Sequence, residues 1–319
     1  MSAKQLESMS PSPRPFLKWA GGKRQLLPEL LKRVPAKFNT YYEPFLGAGA
    51  LFFCLYGPST RGSSTQGSST QGSSTQGSST QGSSTWPKHA VLSDANEELI
   101  LSYRGLRDDP ASVVQHLRAM ERDHTSDPRK TFEYTRAVDI SGLTRHYIAA
   151  RMIYLNKTCF NGLYRVNRKG LFNVPMGKFK TTPVICDEIN LIACSSVLGS
   201  DYGGESLVEL DTMDFKLALE RPRAGDFVYL DPPYIPRSDT SNFTSFTPGG
   251  FDSGDQADLA KIARRLKEKG VHILLSNSGT KEVRDLYPEP FFKLEEVAGR
   301  RNINSRWEGR DAVVEYLIS

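Results

Sequence analysis

Two short motifs hold residue types that can do chemistry together. Asp231-Pro232-Pro233-Tyr234 directly follows the apolar run FVYL, so its side chains should emerge at the end of a buried strand. Consecutive prolines fix the backbone and carry no N–H, leaving carbonyl oxygens and the Asp231 carboxylate as acceptors suited to an amine donor. Tyr234 adds a π-face on which a planar base can stack. The second motif, EPFLGAG (Glu43 to Gly49), sets Gly47 and Gly49 in a strand-to-helix turn, where backbone can approach a nucleotide-like ligand closely. Alone, EPFLGAG is equally a packing turn, whereas a proline-rich turn with a capping Asp is the lesser reading of DPPY. Asp94 adds weight. It ends the next apolar run, HAVLSD, 45 positions after Gly49. Discounting the insertion described below, that interval is 21, close to the ~20 at which an acidic residue meets ribose hydroxyls in dinucleotide folds.

The insertion runs from Gly62 to Thr85, GSSTQ four times and then GSST, with no charge and no large apolar side chain. Its period of five fits neither helix nor strand, and nothing in it can bury a face, so a disordered linker-like loop is expected. The rest has ordinary globular composition: 38% of the whole chain is hydrophobic and 24% charged, which supports a sizeable core. The segment MSAKQLESMSPSPRP is polar and proline-rich, and no run of ~18 apolar residues exists, so neither a signal peptide nor a membrane span is expected. A cytoplasmic location follows as the expectation. Cys54, Cys159, Cys186 and Cys194 show no CxxC pair, which argues against a zinc cluster or a disulfide framework.

The elements that must position these residues alternate. TYYEPF, HAVLSD, SLVEL, DFVYLDPPY, VHILLSN and DAVVEYLIS read as strands. AGALFFCLY, ANEELILSYRGL and DQADLAKIARRLKEKG read as helices, the last stopping at Gly270. Residues from about 110 to 156 are helical in pattern, and Lys157 to Pro183 suits a β-hairpin with loops. The pattern predicts an α/β, doubly wound Rossmann-like sheet: residues 1–15 disordered, 16–105 and 190–319 a catalytic domain carrying the 62–85 loop, and 106–189 a mostly helical recognition insertion with a hairpin.

The net charge of +5 permits a nucleic-acid partner without demanding one. Its distribution says more. Between Ile140 and Cys186 stand Arg145, Arg151, Lys157, Arg165, Arg168, Lys169, Lys178 and Lys180, with no Asp or Glu. Such a run is often only a solvated face; beside DPPY it reads as a phosphate-binding surface.

With FLKWAGGK (Phe16 to Lys23), EPFLGAG, LSDAN, NGLYRVN with FNVPMG, DPPY, SNFTSF (Ser241 to Phe246) and RRNINS (Arg300 to Ser305), in that order, the sequence resembles the Dam-type DNA adenine-N6 methyltransferases of the alpha group. The resemblance implies S-adenosylmethionine as methyl donor, no metal, double-stranded DNA as substrate, and a monomer. It places Trp19, Lys23, Glu43, Phe45, Gly47, Gly49, Asp94 and Asp231 at the donor, with Lys23 near the donor's carboxylate. It makes Asp231, Pro232, Pro233 and Tyr234 the catalytic group: the Asp231 carboxylate and Pro232 carbonyl hold the adenine amine, and Tyr234 stacks on the flipped base. It implies that the hairpin reads GATC in the major groove, with Arg165 on a guanine edge, Leu163 and Pro175 in apolar contact, Asn161 and Lys178 at the DNA, and Phe160 as a wedge beside the flipped base. Competing readings are an amino-methyltransferase acting on cytosine N4, RNA or protein amide, whose members commonly carry Ser or Asn where Asp231 stands, and a catalytically silent DNA-binding regulator.

Overall fold

A computed structural model describes residues 12–57, 89–167, 169–202, 205–234, 250–299 and 313–319. The repeat, SNFTSF, RRNINS and Arg168 lie outside the described residues.

Seven strands form one sheet: β1 (Thr40–Glu43), β2 (His89–Asp94), β5 (Val208–Thr212), β6 (Phe227–Leu230), β7 (His272–Ser278), β8 (Leu294–Gly299) and β9 (Val313–Ile318), in the order β5-β2-β1-β6-β7-β9-β8. The first five are parallel, while β9 runs antiparallel to both β7 and β8. A separate two-stranded ladder joins β3 (Asp201–Tyr202) and β4 (Glu205–Ser206).

The centre of the sheet shows why an uninterrupted apolar run is needed there. Every residue of β6 is buried. Phe227 and Tyr229 enter one apolar core, and Val228 and Leu230 enter another on the opposite face, as the two-residue period of a strand requires. The second core is closed by α9 (Ser253–Glu268) through Leu259, Ala263 and Leu266. This helix begins with a reciprocal capping box between Asp252 and Asp255, and Gly270 follows it at φ +82°, the left-handed conformation that suits glycine.

On the first face lie α2 (Ala50–Tyr56), α3 (Glu97–Asp108) and a helical layer of α4 (Pro110–Ser126), α5 (Pro128–Ala137), α6 (Arg145–Thr158) and α7 (Glu188–Leu198); short helices α1 (Leu27–Leu31), α8 (Phe215–Ala218) and α10 (Lys281–Leu286) complete the set. Asp109 and Asp127 accept N-cap bonds from the Ser112 and Lys130 amides, each with proline in the first turn, which explains three helices, α3, α4 and α5, following one another end to end. α6 crosses α3 closely at Gly105, where an added Cβ would sit 2.3 Å from the Arg145 carbonyl oxygen. Arg14, placed by the sequence reading in the polar tail, exchanges backbone hydrogen bonds with the Asn190 side chain on α7.

From Thr158 to Gly177 the chain doubles back as a hairpin. Its arms are tied by bonds such as Phe160 N to Pro175 O at 2.9 Å and Asn173 N to Arg165 O at 3.0 Å. Among the described residues, the hairpin's β-pairing consists of the isolated bridges Cys159 with Met176 and Val166 with Phe172, so the expected hairpin is looser than two regular strands.

Candidate active site

Chain order reverses between β1 and β6: β2 and β5 extend the sheet on one side, β7 and β9 on the other. Ligands of open α/β sheets bind at such a switch point, beyond the carboxyl ends of the strands. EPFLGAG leaves β1 and DPPY leaves β6, so the pairing of Tyr41 with Phe227 and of Tyr42 with Val228 sets the two motifs side by side.

On the β1 side, Gly47 (φ +46°) and Gly49 (φ +61°) take left-handed conformations that turn the chain into α2. A Cβ on Gly47 would lie 2.7 Å from Trp19 Cδ1, so glycine is what admits the indole. The Gly47 amide donates to Asp94 Oδ2 at 3.1 Å and the Asn96 amide to Asp94 Oδ1 at 2.9 Å, pinning the end of β2 against the glycine turn. Each carboxylate oxygen keeps acceptor capacity for a further donor. Burial raises the Asp94 carboxyl to about 6, against the pull of these two amides. Glu43, 2% exposed, accepts from the Tyr41 hydroxyl at 2.8 Å; burial dominates and pushes its pKa up to about 8. Phe45 stacks on Phe215 and meets Phe251 edge-on.

On the β6 side, Lys23 ties the Gly21–Gly22 turn to DPPY. Its ammonium is 2.8 Å from Asp231 Oδ1, donates to the Gly21 carbonyl at 2.5 Å, and lies 4.6 Å from the Tyr234 ring centroid. The resemblance put this lysine near the donor's carboxylate; here it is paired with Asp231. Ser276 also donates to Asp231 Oδ1, at 3.0 Å. Burial raises the Asp231 carboxyl above its ordinary range, and Lys23 and Ser276 pull the other way. Trp19, Lys23, Glu43, Gly47, Asp94 and Asp231 thus gather at one edge of the sheet.

The frame around DPPY contains residues the sequence reading missed. Tyr234 donates its hydroxyl proton to Glu315 Oε2 at 2.7 Å. Gln256 on α9 donates to the Pro233 carbonyl at 2.8 Å and is itself held by Asn277 at 3.1 Å. The Gln256 bond engages the Pro233 carbonyl, while the Asp231 carboxylate and the Pro232 carbonyl stand beside it in the same motif. The signal for these residues was faint: Ser276, Asn277 and Glu315 are polar positions in otherwise apolar strands, and Gln256 had no local mark.

The hairpin groups the residues assigned to DNA. Phe160 (45% exposed), Asn161 and Pro175 are exposed, Leu163 and Arg165 are half-buried, and Lys178 is exposed. Asn161 sits at φ +56°. Arg165 is not free-swinging: its Nε donates to Asn173 Oδ1 at 2.8 Å across the hairpin. The basic run needs one correction. Arg151 is 4% exposed and forms an ion pair with Glu98 on α3, while donating to the carbonyls of Thr135 and Arg136 at 3.0 Å each. It therefore holds the helical layer together and is not part of a basic surface. Arg145 pairs with Asp108 at 3.3 Å. Both acidic partners lie outside the acid-free stretch, which is why linear composition overstated its free charge.

Comparison with known proteins identifies the family. Residues 19–60 and 77–303 match the family described as D12 class N6 adenine-specific DNA methyltransferase; the gap at 61–76 falls within the GSSTQ repeat but for its first residue. The chain is similar, at 35% identity, to the Type II methyltransferase M1.LlaDCHI of Lactococcus lactis subsp. cremoris, covering 96% of this chain and 95% of that protein. It is equally similar to the Type II methyltransferase M.MjaIII of Methanocaldococcus jannaschii, at 35% identity over 96% and 98% of the two chains. With the DNA adenine methylase of Escherichia coli K12 it shares 30% identity, covering 95% and 94%. The glycine turn, the DPPY strand end and the match along most of the chain lead to one family: the protein belongs to the D12 class N6 adenine-specific DNA methyltransferases.

Proposed function

We propose that the donor is S-adenosylmethionine and that the target is an adenine flipped out of duplex GATC. The observation that carries the reading is the meeting of EPFLGAG and DPPY at adjacent strand ends, with Lys23 paired to the Asp231 carboxylate.

The residues present fit the donor. Glu43, Asp94 and Asp231 stand together at the switch point, three carboxyls beside one cation, Lys23, and a ligand bearing a sulfonium and an ammonium would favour their ionised forms. Asp94 would accept from ribose hydroxyls, and Trp19 and Phe45 offer flat apolar walls. When bound, the donor supplies an activated methyl group on a positively charged sulfur.

The protein's own task is then to position the amine. Adenine N6 is a weak nucleophile because its lone pair is delocalised into the ring. Hydrogen bonds to the Asp231 carboxylate and the Pro232 carbonyl favour a more tetrahedral nitrogen, and Tyr234, clamped by Glu315, stacks on the ring. Lys23 and Ser276 both hold Asp231 Oδ1, and Lys23 also lies near the Tyr234 ring, fixing the carboxylate against which the amine docks. In a duplex the amine is paired, so the base must leave the stack; Phe160 fills the space it leaves, and Arg165, braced by Asn173, reads a guanine edge. We assign residues 106–189 to this recognition role.

The test is to incubate the protein with unmethylated plasmid and methyl-labelled S-adenosylmethionine, and then to hydrolyse the DNA and probe GATC with methylation-sensitive cleavage. Label on adenine with GATC protected is expected. Label on cytosine, or none in DNA, overturns the reading; labelled adenine with GATC unprotected overturns the site assignment.

A further inference from the structure

Tyr164 stands between Leu163 and Arg165 in the hairpin, yet its side chain is buried against Trp19. Its ring stacks on Trp19 at 5.2 Å between centroids and 21° between planes, and it meets Phe172 of the opposite hairpin arm edge-on at 5.7 Å. Its hydroxyl donates to Glu98 Oε2 at 3.0 Å and is also hydrogen-bonded by the Asn96 side chain. Glu98 is fixed in turn by Arg151, and the Asn96 amide holds Asp94. One side chain therefore touches the indole that walls the glycine turn, the loop that carries Asp94, and both arms of the hairpin.

We propose that Tyr164 is a positioning residue through which the donor pocket and the DNA-reading hairpin bind their ligands cooperatively; this rests on the donor and DNA roles proposed above. The physical route is short. Gly47 presses on one edge of Trp19, with no room for even a Cβ, so a ligand settling against the indole moves or fixes it as a unit with the ring stacked on it. Tyr164 is anchored at its hydroxyl, so a shift of its ring is carried into the backbone on either side, where Leu163 and Arg165 lie. A donor that holds Trp19 in place then lowers the ordering cost of the hairpin on DNA, and by linkage DNA tightens the donor by the same factor.

The experiment uses the full chain. S-adenosylhomocysteine is titrated calorimetrically into the protein alone and into the protein saturated with a GATC duplex, and the ratio of the two dissociation constants is the coupling. We expect a ratio of about ten in the wild type. Tyr164→Leu, which removes stack and anchor, should bring it close to one. Tyr164→Phe keeps the ring and loses the anchor, and should also lower the ratio; it decides the matter if the leucine variant does not fold. A residue that merely supports the fold would weaken both titrations and leave their ratio unchanged. A folded variant with the wild-type ratio, or a wild-type ratio of one, overturns the proposal while leaving the donor and DNA assignments intact. A wild-type protein that binds neither probe overturns those assignments, and this proposal with them.

Discussion

Lys23 Nζ lies 2.8 Å from Asp231 Oδ1, joining a residue near the start of the described chain to the strand end that carries DPPY. Lys23 is 5% exposed, so the ion pair is largely shielded from water and each partner depends on the other. Removing the lysine leaves Asp231 in a site where burial already raises its carboxyl. Lys23→Met should move the acidic limb of the kcat/KM profile to higher pH by about one unit or more. A pH–rate series on both proteins checks this, and an unmoved limb would show that another group sets the ionisation.

Glu43 supplies a second pH dependence, with the opposite consequence for ligand and for fold. Its pKa of about 8 means that the buried carboxyl is mostly protonated at neutral pH. A cationic donor favours the ionised form, so donor affinity should rise with pH up to about 8, by at most about tenfold per unit, because one proton is released. The ligand-free fold should respond the other way. Its Glu43 value lies above the ordinary 4.5, so the folded state holds the extra proton between the two values and stability falls as pH rises through that window. Glu43→Gln should flatten both slopes in calorimetric titrations and thermal melts from pH 6 to 9.

The 2.7 Å bond from Tyr234 to Glu315 fixes the ring on which the target base is proposed to stack. Glu315→Ala should lower single-turnover rates by about tenfold, with a smaller effect on donor affinity, because the loss is one of base positioning. Adding Tyr234→Phe to that variant should cost little more, since both changes remove one interaction. Full additivity would show that the two residues act separately.

Arg165 is braced by Asn173 at 2.8 Å, so two substitutions should reach the same specificity. Arg165→Ala should reduce activity on the cognate duplex more than on one-base variants, by about 1–3 kcal/mol of discrimination. Asn173→Ala should do the same more weakly. Equal losses on all duplexes would make Arg165 a phosphate contact.

The repeat offers a deletion test. β1 and β2 pair in parallel from Thr40 with His89 to Glu43 with Leu92, although the repeat lies between them in sequence, and the family match skips 61–76. Closure free energy changes only ~0.6 kcal/mol per doubling of loop length, so removing Gly62 to Thr85 should leave methylation within about twofold. Abolished activity in a folded deletion protein, measured by label incorporation, would show that the repeat has a function.

Much of this was legible in sequence because it depends on local pattern. Strand patterns marked all five parallel strands and β9, most plainly β2, β6 and β7, where burial on both faces demands an apolar run, and the glycine turn and the two prolines advertised strained or donor-free backbone where a ligand approaches. β8 was missed because LEEVAG at a sheet edge carries no comparable apolar signal. What tertiary structure decided was partnership. Only the β1–β6 adjacency brings EPFLGAG to DPPY, and only packing shows that Arg151 is spent on Glu98, that Tyr164 faces Trp19, and that Glu315, 81 residues on, clamps Tyr234. The reason is physical: hydrophobic period and turn chemistry act over a few neighbours, whereas a buried charge or hydroxyl finds its partner wherever the sheet order places one.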